Sequence, residues 1–127
     1  MNFPNNLVIE IDRFKLSPIQ EADIEAVFET MNSRGTADII SFLKWPMNLE
    51  QAASWCRRSE KGLNEQREFL FLARSKLDAT PVGCISIHIS SDLRTGEVGY
   101  WVSENWQGRG CASEMLKIDI GFLRNVH

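Results

Sequence analysis

The 127-residue chain has few of the residues that build metal sites or disulfide frameworks. Its three cysteines, Cys56, Cys84 and Cys111, are an odd number at wide spacing. Such a set predicts free thiols in a reducing compartment, and we therefore expect a cytoplasmic protein. The two histidines, His88 and His127, are too few and too far apart for a zinc site of standard spacing.

Long apolar runs and an excess of basic charge are also missing from the sequence. No segment approaches the roughly 18 uninterrupted apolar residues of a membrane helix, and the first residues lack the layout of a signal peptide. Lys and Arg number 14 and Asp and Glu number 17, which gives a net charge of −3. We therefore expect neither a membrane nor a nucleic acid as the main partner.

The composition is that of an ordinary globular protein, with 43% hydrophobic and 24% charged residues. The length predicts a single domain over residues 1–127. Asn48 and Gln51 have the spacing of a capping box, which predicts a helix start. Hydrophobic periodicity predicts the order β-α-α-β-β-β-α, in which the three successive strands form an antiparallel meander. The elements are a strand at 7–16, a helix up to 31, a short helical turn at 37–43, a helix at 48–62, strands at 68–75, 82–89 and 97–102, and a helix at 113–126.

The most informative segment is the glycine-containing loop between the last strand and the last helix. Gly108 and Gly110 allow the backbone to bend and a ligand to approach closely. The first turn of the following helix offers unpaired N–H groups and the positive end of the helix dipole. This combination predicts a phosphate or pyrophosphate site, with Arg94 and Arg109 adding positive charge at its edge.

Several interpretations of this loop compete. A dinucleotide fingerprint requires a third glycine where Ser113 stands, and a P-loop requires Gly-Lys followed by Ser or Thr, which the segment lacks. The acetyl-coenzyme A pattern Q/R-x-x-G-x-G/A is matched by Gln107, Gly110 and Ala112. A plain strand-to-helix turn that binds no ligand is the remaining alternative.

Together with its flanking segments, this loop resembles the GCN5-related N-acetyltransferase (GNAT) superfamily, and within it the branch of ribosomal-protein N-terminal acetyltransferases. Residues 97–102 and 105–114 carry the resemblance, and residues 42–46 and 81–83 match weaker signatures. The resemblance implies an α+β fold, an α/β sandwich in which a mixed, mostly antiparallel sheet is flanked by helices. It also implies an acetyl-CoA-dependent N-acetyltransferase whose acceptor is a primary amine, on a protein N-terminus or a small molecule.

The resemblance further implies roles for single residues. The strand at 97–102 would carry a bulge and splay from its neighbour, so that pantetheine pairs with the backbone of Val102, Ser103 and Glu104. A backbone N–H near Val102 would polarise the thioester carbonyl, and Glu97 would be the general base, although a paired or solvent-facing glutamate is as common on such a strand. The pyrophosphate would be held by Gln107, Gly108, Arg109, Gly110, Cys111, Ala112 and Ser113.

The chain ends where the family continues with a further strand, a helix and a hairpin. In the family these elements supply the other wall of the cofactor cleft and a tyrosine that protonates the leaving thiolate. The one tyrosine here, Tyr100, is on the wrong element for that role. Two alternatives therefore stay open, a non-catalytic CoA-binding or interaction module and a structural domain with a vestigial loop. An exposed sheet edge also predicts a homo-oligomer.

Overall fold

The computed structural model describes residues 8–32, 48–65, 67–89 and 96–116. Three sequence predictions lie outside these ranges, namely the helical turn at 37–43, the charge of Arg94 near the loop and the part of the last helix beyond residue 116. Within them the chain forms five strands and three α-helices. In chain order these are β1 (Ile9–Ile11), β2 (Phe14–Pro18), α1 (Ile24–Met31), α2 (Leu49–Glu65), β3 (Glu68–Ser75), β4 (Pro81–Ile89), β5 (Gly96–Val102) and α3 (Cys111–Met115).

The five strands form one sheet in the order β1-β2-β3-β4-β5, and every neighbouring pair is antiparallel. The α+β fold class is confirmed. The meander of β3, β4 and β5 is also confirmed, with strand boundaries within one residue of the prediction. Short polar links favour such hairpin connections because antiparallel neighbours need only a tight turn between them.

The sheet separates two apolar layers. On one face α1 and α2 pack over side chains that include Leu70 and Trp101. On the other face Met115 of α3 packs with Phe69 and Phe71. Residues of β3 alternate between the two layers, so nearly all of them are buried. This explains why β3 is a continuous apolar run rather than an alternating one.

The predicted strand at 7–16 is wrong in one respect, because the structure divides it into two strands. A tight turn at Asp12 and Arg13 joins β1 to β2, and Ile11 pairs with Phe14 across it. Asp12 has a φ of 43°, a left-handed conformation that aspartate tolerates better than most residues. No glycine or proline marks the turn, and apolar residues continue on both sides of it, so the periodicity concealed it.

The structure confirms one predicted helix start and changes two other predicted helix boundaries. The capping box before α2 is confirmed, since the Asn48 N–H donates to Gln51 Oε1 at 2.7 Å and the Gln51 N–H donates to Asn48 Oδ1 at 2.9 Å. The helix α2 continues to Glu65, three residues beyond its predicted end. The helix α3 begins at Cys111 instead of residue 113, directly after the glycine loop. Among the described residues, no helix is long and apolar enough to cross a membrane.

The bulge that the resemblance implied for residues 97–102 is not found in their pairing with β4. That register is unbroken from Val102 opposite Gly83 to Gly96 opposite Ile89. The irregularity lies instead between β3 and β4, where the register shifts next to Ala73. An extra residue in β4 therefore bends the partner of β5 while β5 itself stays regular.

Candidate functional site

A cleft with a volume of about 240 Å³ opens where β5 ends and α3 begins. Its walls are the end of the strand, the glycine loop and the first turn of the helix. Seven of the ten predicted cofactor-binding residues line it, together with three aromatic residues. The lining residues are Tyr100, Trp101, Val102, Trp106, Gln107, Gly108, Gly110, Cys111, Ala112 and Ser113.

Both glycines of the loop have left-handed backbones. Gly108 has a φ of 78° and Gly110 a φ of 75°, values that side chains strongly disfavour. A Cβ built on either residue would meet no other atom within 4 Å. The glycines are therefore not required by close packing within the protein. They are required by the backbone conformation, and they leave open space for a ligand.

The first turn of α3 presents backbone donors to this space. The Glu114 N–H donates to the Gly110 carbonyl at 3.2 Å, which is the first bond of the helical pattern. The preceding N–H groups, those of Cys111, Ala112 and Ser113, therefore have no acceptor within the helix. Donors at the positive end of a helix favour an anion such as a phosphate.

The second wall of the cleft is the outer edge of β5. The Ile89 N–H donates to the Arg67 carbonyl at 2.8 Å, which fixes the residues of β4 that bond toward β3. Because backbone directions alternate along a strand, the intervening residues of β4 bond toward β5. It follows that Val98, Tyr100 and Val102 direct their backbone groups away from β4. Among the described residues, no strand lies on that side of β5.

The loop is tied to the end of β5 by the side chain of Gln107. Its Nε2 donates to the Val102 carbonyl at 3.0 Å. The Trp106 N–H also donates to the Ser103 carbonyl at 2.8 Å, within the short 3-10 turn between strand and loop. The glutamine of the acetyl-CoA motif therefore holds the loop against the strand, besides lining the cleft.

Three predicted cofactor residues are not brought to the cleft. The Ser103 N–H donates to the Val82 carbonyl at 2.7 Å, which commits it to the sheet. Glu104 is exposed in the 3-10 turn. The Arg109 guanidinium lies over the Trp106 ring, 5.2 Å from its centroid. The backbone of the loop, rather than these side chains, forms the cleft.

The β1–β2 turn contacts the loop, which was not predicted from the sequence. Arg13 Nη2 donates to the Arg109 carbonyl at 2.8 Å, and Arg13 Nε donates to Glu114 Oε1 at 2.5 Å. Beside it, the Phe14 and Trp106 rings meet edge to face with centroids 6.2 Å apart. Arg13 and Glu114 are 101 residues apart in sequence. No local sequence pattern could therefore reveal the contact, because the two residues meet only after the strands have paired.

Glu97 lies at the other end of β5, in a separate polar cleft of about 310 Å³. Glu68, His88 and Glu97 are directly opposite one another on β3, β4 and β5, so they share one face of the sheet. Arg58 of α2 binds both carboxylate oxygens of Glu68, at 2.6 and 2.8 Å. The remaining lining residues are Ser86, Val98 and Gly99.

The two predicted catalytic positions are therefore far apart. Five residues separate Glu97 from Val102, which corresponds to about 17 Å along a strand. A general base must lie within hydrogen-bond reach of the proton it accepts, directly or through one water. Glu97 and the Val102 N–H therefore cannot both contact the reacting atoms of one thioester.

The cysteines do not provide a nucleophile. Burial raises the pKa of the Cys56 thiol to about 11, and burial also raises the pKa values of Cys84 and Cys111. These thiols are protonated near neutral pH and are therefore weak nucleophiles. Within the described parts of the chain, no group of three or more His, Cys, Asp or Glu side chains is arranged to hold a metal ion.

Comparison with known proteins shows which family the chain matches. Residues 13–125 match the Acetyltransferase (GNAT) domain family, which covers most of the chain. Among curated proteins, no sequence is significantly similar to this one.

Solved structures share the fold at low sequence identity. A Vibrio cholerae protein described as a ribosomal-protein-serine acetyltransferase is 18% identical, with a TM-score of 0.79 over 95% of this chain and 68% of its own. The Salmonella typhimurium acetyltransferase that modifies the N-terminal serine of ribosomal protein L7/L12 is 17% identical, with a TM-score of 0.73 over 87% and 64%. The microcin C7 self-immunity acetyltransferase, solved with acetyl-CoA and AMP, is 20% identical, with a TM-score of 0.68 over 83% and 59%. This chain thus spans about three fifths to two thirds of the length of these relatives.

Proposed function

The chain belongs to the GNAT acetyltransferase domain family, and from this premise we propose that it is an acetyl-CoA-dependent N-acetyltransferase that acts on a primary amine. One observation carries the proposal. A single cleft joins the outward-facing backbone of β5 to a loop whose two left-handed glycines leave open space. An extended amide-containing arm attached to a diphosphate fits such a cleft, because it needs a strand edge at one end and backbone donors at the other.

In the proposed complex the diphosphate of CoA lies against the loop and the first turn of α3. Gly108 and Gly110 admit it, and the N–H groups of Cys111, Ala112 and Ser113 donate to its oxygens. The amide groups of the pantetheine arm then pair with the outer edge of β5, beginning at Val102. This pairing follows the pattern by which an extended peptide adds a strand to a sheet edge.

The length of the arm decides where the thioester lies. By covalent geometry, extended pantetheine is roughly as long as four strand residues, about 13 Å. An arm that starts near the loop therefore passes Val102 and ends near Tyr100 or Val98. We propose that Val102 pairs with the arm and that an outward-facing N–H at Tyr100 or Val98 polarises the thioester carbonyl. This placement brings the thioester close to Glu97 rather than 17 Å from it.

The reaction then requires an amine that has lost its proton. Glu97 accepts that proton, directly or through one water. The amine nitrogen attacks the thioester carbonyl carbon, so a C–N bond forms and the oxygen gains negative charge, which the backbone N–H stabilises. When the C–S bond breaks, CoA leaves as a thiolate. The nitrogen loses its second proton and the thiolate takes up one proton, so that the products are the amide, the CoA thiol and the one proton accepted by Glu97.

The acceptor is proposed at the level of chemistry. Two of the similar structures are described as acetyltransferases of ribosomal proteins, which favours a peptide N-terminus, and a small amine is the other candidate. The cytoplasmic location and the self-association predicted from the sequence stay predictions.

Calorimetric titration with acetyl-CoA tests the binding half of the proposal. Gly110→Trp places a large side chain where the diphosphate would lie, and Ala112→Trp does the same without a left-handed backbone. Both variants are expected to weaken binding at least tenfold. Leu77→Trp is the matched control, because Leu77 is 96% exposed and is not among the residues that line the cleft. It should bind like the wild type.

Release of free thiol from acetyl-CoA over a panel of peptides and small amines tests the catalytic half. Sustained thiol release that depends on the acceptor supports the enzyme. Binding without turnover would favour the non-catalytic CoA-binding module. Absence of binding in the wild-type chain would contradict the proposal and leave a structural domain with a vestigial loop.

A further inference from the structure

Arg13 connects two parts of the chain that the proposed reaction does not otherwise link. It lies in the turn between β1 and β2, outside the residues that line the cleft. Its guanidinium nevertheless donates to the Arg109 carbonyl, at the centre of the glycine loop, and to the Glu114 carboxylate in the first turn of α3. The Arg13 backbone N–H also donates to the second carboxylate oxygen of Glu114, at 3.3 Å.

The position of Glu114 gives this contact an electrostatic consequence. A carboxylate in the first turn of a helix is favourable for the helix itself, because it complements the dipole. The same carboxylate opposes a diphosphate that binds to the N–H groups of that turn, since like charges repel. Arg13 pairs with this carboxylate, and Glu114 is not among the residues that line the cleft.

The contact with the Arg109 carbonyl has a geometric consequence. Arg109 is the residue between the two left-handed glycines, so the orientation of its peptide group sets the direction of the neighbouring backbone donors. Because a glycine precedes and another follows Arg109, its peptide group would be free to rotate in an isolated chain. A charge-assisted bond from Arg13 to its carbonyl holds one orientation before any ligand arrives.

We propose that Arg13 is a positioning residue for the diphosphate, which fixes the glycine loop through the Arg109 carbonyl and neutralises Glu114. This inference rests on the proposed function, because it concerns the same cleft. It predicts that a change at Arg13 alters the affinity for the diphosphate end of CoA, whereas the pantetheine end, which pairs with β5, is unaffected.

Titration of four chains with CoA and with pantetheine tests the inference. Arg13→Ala should weaken CoA binding by tenfold or more, because two charge-assisted bonds are lost and the Glu114 carboxylate is left unpaired. Pantetheine, which lacks the diphosphate, should bind Arg13→Ala and the wild type equally. The double variant Arg13→Ala/Glu114→Gln should recover part of the lost CoA affinity. Lys15→Ala is the matched control, because Lys15 in the same hairpin pairs with exposed Glu10 at 3.8 Å and does not line the cleft.

The recovery in the double variant separates the electrostatic role from a merely structural one. If Arg13 served stability alone, removal of its partner as well would give no recovery, and CoA and pantetheine would be affected alike. Arg13→Lys, which keeps the charge but cannot reach both partners, should fall between Arg13→Ala and the wild type. Thermal unfolding of each variant confirms that the compared chains are folded.

The outcomes distinguish this inference from the proposed function. If the wild-type chain binds CoA and Arg13→Ala binds it with equal affinity, the role of Arg13 is overturned while the proposed function stands. If the wild-type chain does not bind CoA, the proposed function falls and this inference falls with it. A selective loss of CoA affinity that Glu114→Gln partly restores supports both.

Discussion

The two ends of β5 are lined by different kinds of groups. At the Val102 end the cleft is lined by apolar side chains and glycines, and its polar groups are mainly backbone amides. At the Glu97 end the lining consists mostly of polar and charged side chains, including Arg58 and His88. Backbone groups recognise a ligand through shape and hydrogen bonds, whereas carboxylates and imidazoles can exchange protons. We therefore propose cofactor binding at one end of the strand and acid–base chemistry at the other.

The sharpest way to test this division is Glu97→Gln. If the Glu97 end handles protons, kcat should fall by about a hundredfold or more while acetyl-CoA affinity changes less than twofold. Steady-state kinetics with a saturating amine, together with calorimetry, separates the two quantities. Glu104→Gln is the matched control, since Glu104 is an exposed carboxylate that lines neither cleft. A loss of less than threefold in kcat for Glu97→Gln would remove Glu97 from the mechanism.

Two glycine substitutions test, through protein stability, whether the two ends of β5 differ. A Cβ on Gly83 would collide with the Trp101 carbonyl oxygen, at the Val102 end of the β4–β5 pair. Gly83→Ala should therefore lower the free energy of unfolding by about 1–3 kcal/mol, and it should weaken CoA binding. A Cβ on Gly99 meets only Ser86 Oγ, at 3.0 Å, and that side chain can rotate away.

We therefore expect Gly99→Ala to cost less than about 1 kcal/mol and to weaken CoA binding less than Gly83→Ala does, because its Cβ meets a side chain that can move and not the backbone. Urea denaturation measures both variants. Equal destabilisation by the two substitutions would show that the two ends of β5 are not structurally independent.

The smallest expected effect concerns the bond between Gln107 and Val102. Gln107→Ala removes one hydrogen bond that holds the loop against the strand, which corresponds to roughly a two- to tenfold loss of CoA affinity. The kcat should be unchanged, because the Glu97 end is untouched. Calorimetry and kinetics on this variant check both statements. A fall in kcat without a loss of affinity would reverse the assignment of the two ends.

The left-handed glycine loop at the Val102 end could be predicted from the sequence because its signals are local. Gly108 and Gly110 lie in one short loop between a strand and a helix, and each glycine by itself indicates a position where the backbone can adopt a left-handed conformation. The meander was likewise predictable, because the apolar alternation and the polar turns between β3, β4 and β5 are features of adjacent residues.

The remaining features depend on distant parts of the chain. The β1–β2 turn has no glycine or proline, so the apolar pattern continued through it. Arg13 meets Glu114 only after five strands have paired, and Glu68 meets His88 and Glu97 only through the register of the sheet. A role for Glu97 and Val102 at the same thioester was expected from a motif, and the strand geometry shows the distance that separates them. The sequence spacing alone does not show which residues of different strands lie next to each other.

The most direct test of the account is a map of backbone amide shifts in the ¹⁵N-labelled protein during titration with CoA and with pantetheine. We expect CoA to shift the amides of Gly108 to Ser113 together with those of Val102 and Tyr100, whereas pantetheine should shift the strand amides and leave the loop unchanged. If CoA shifted the amides around Arg58 and His88 instead and left the glycine loop unaffected, the proposed cleft would not be the cofactor site.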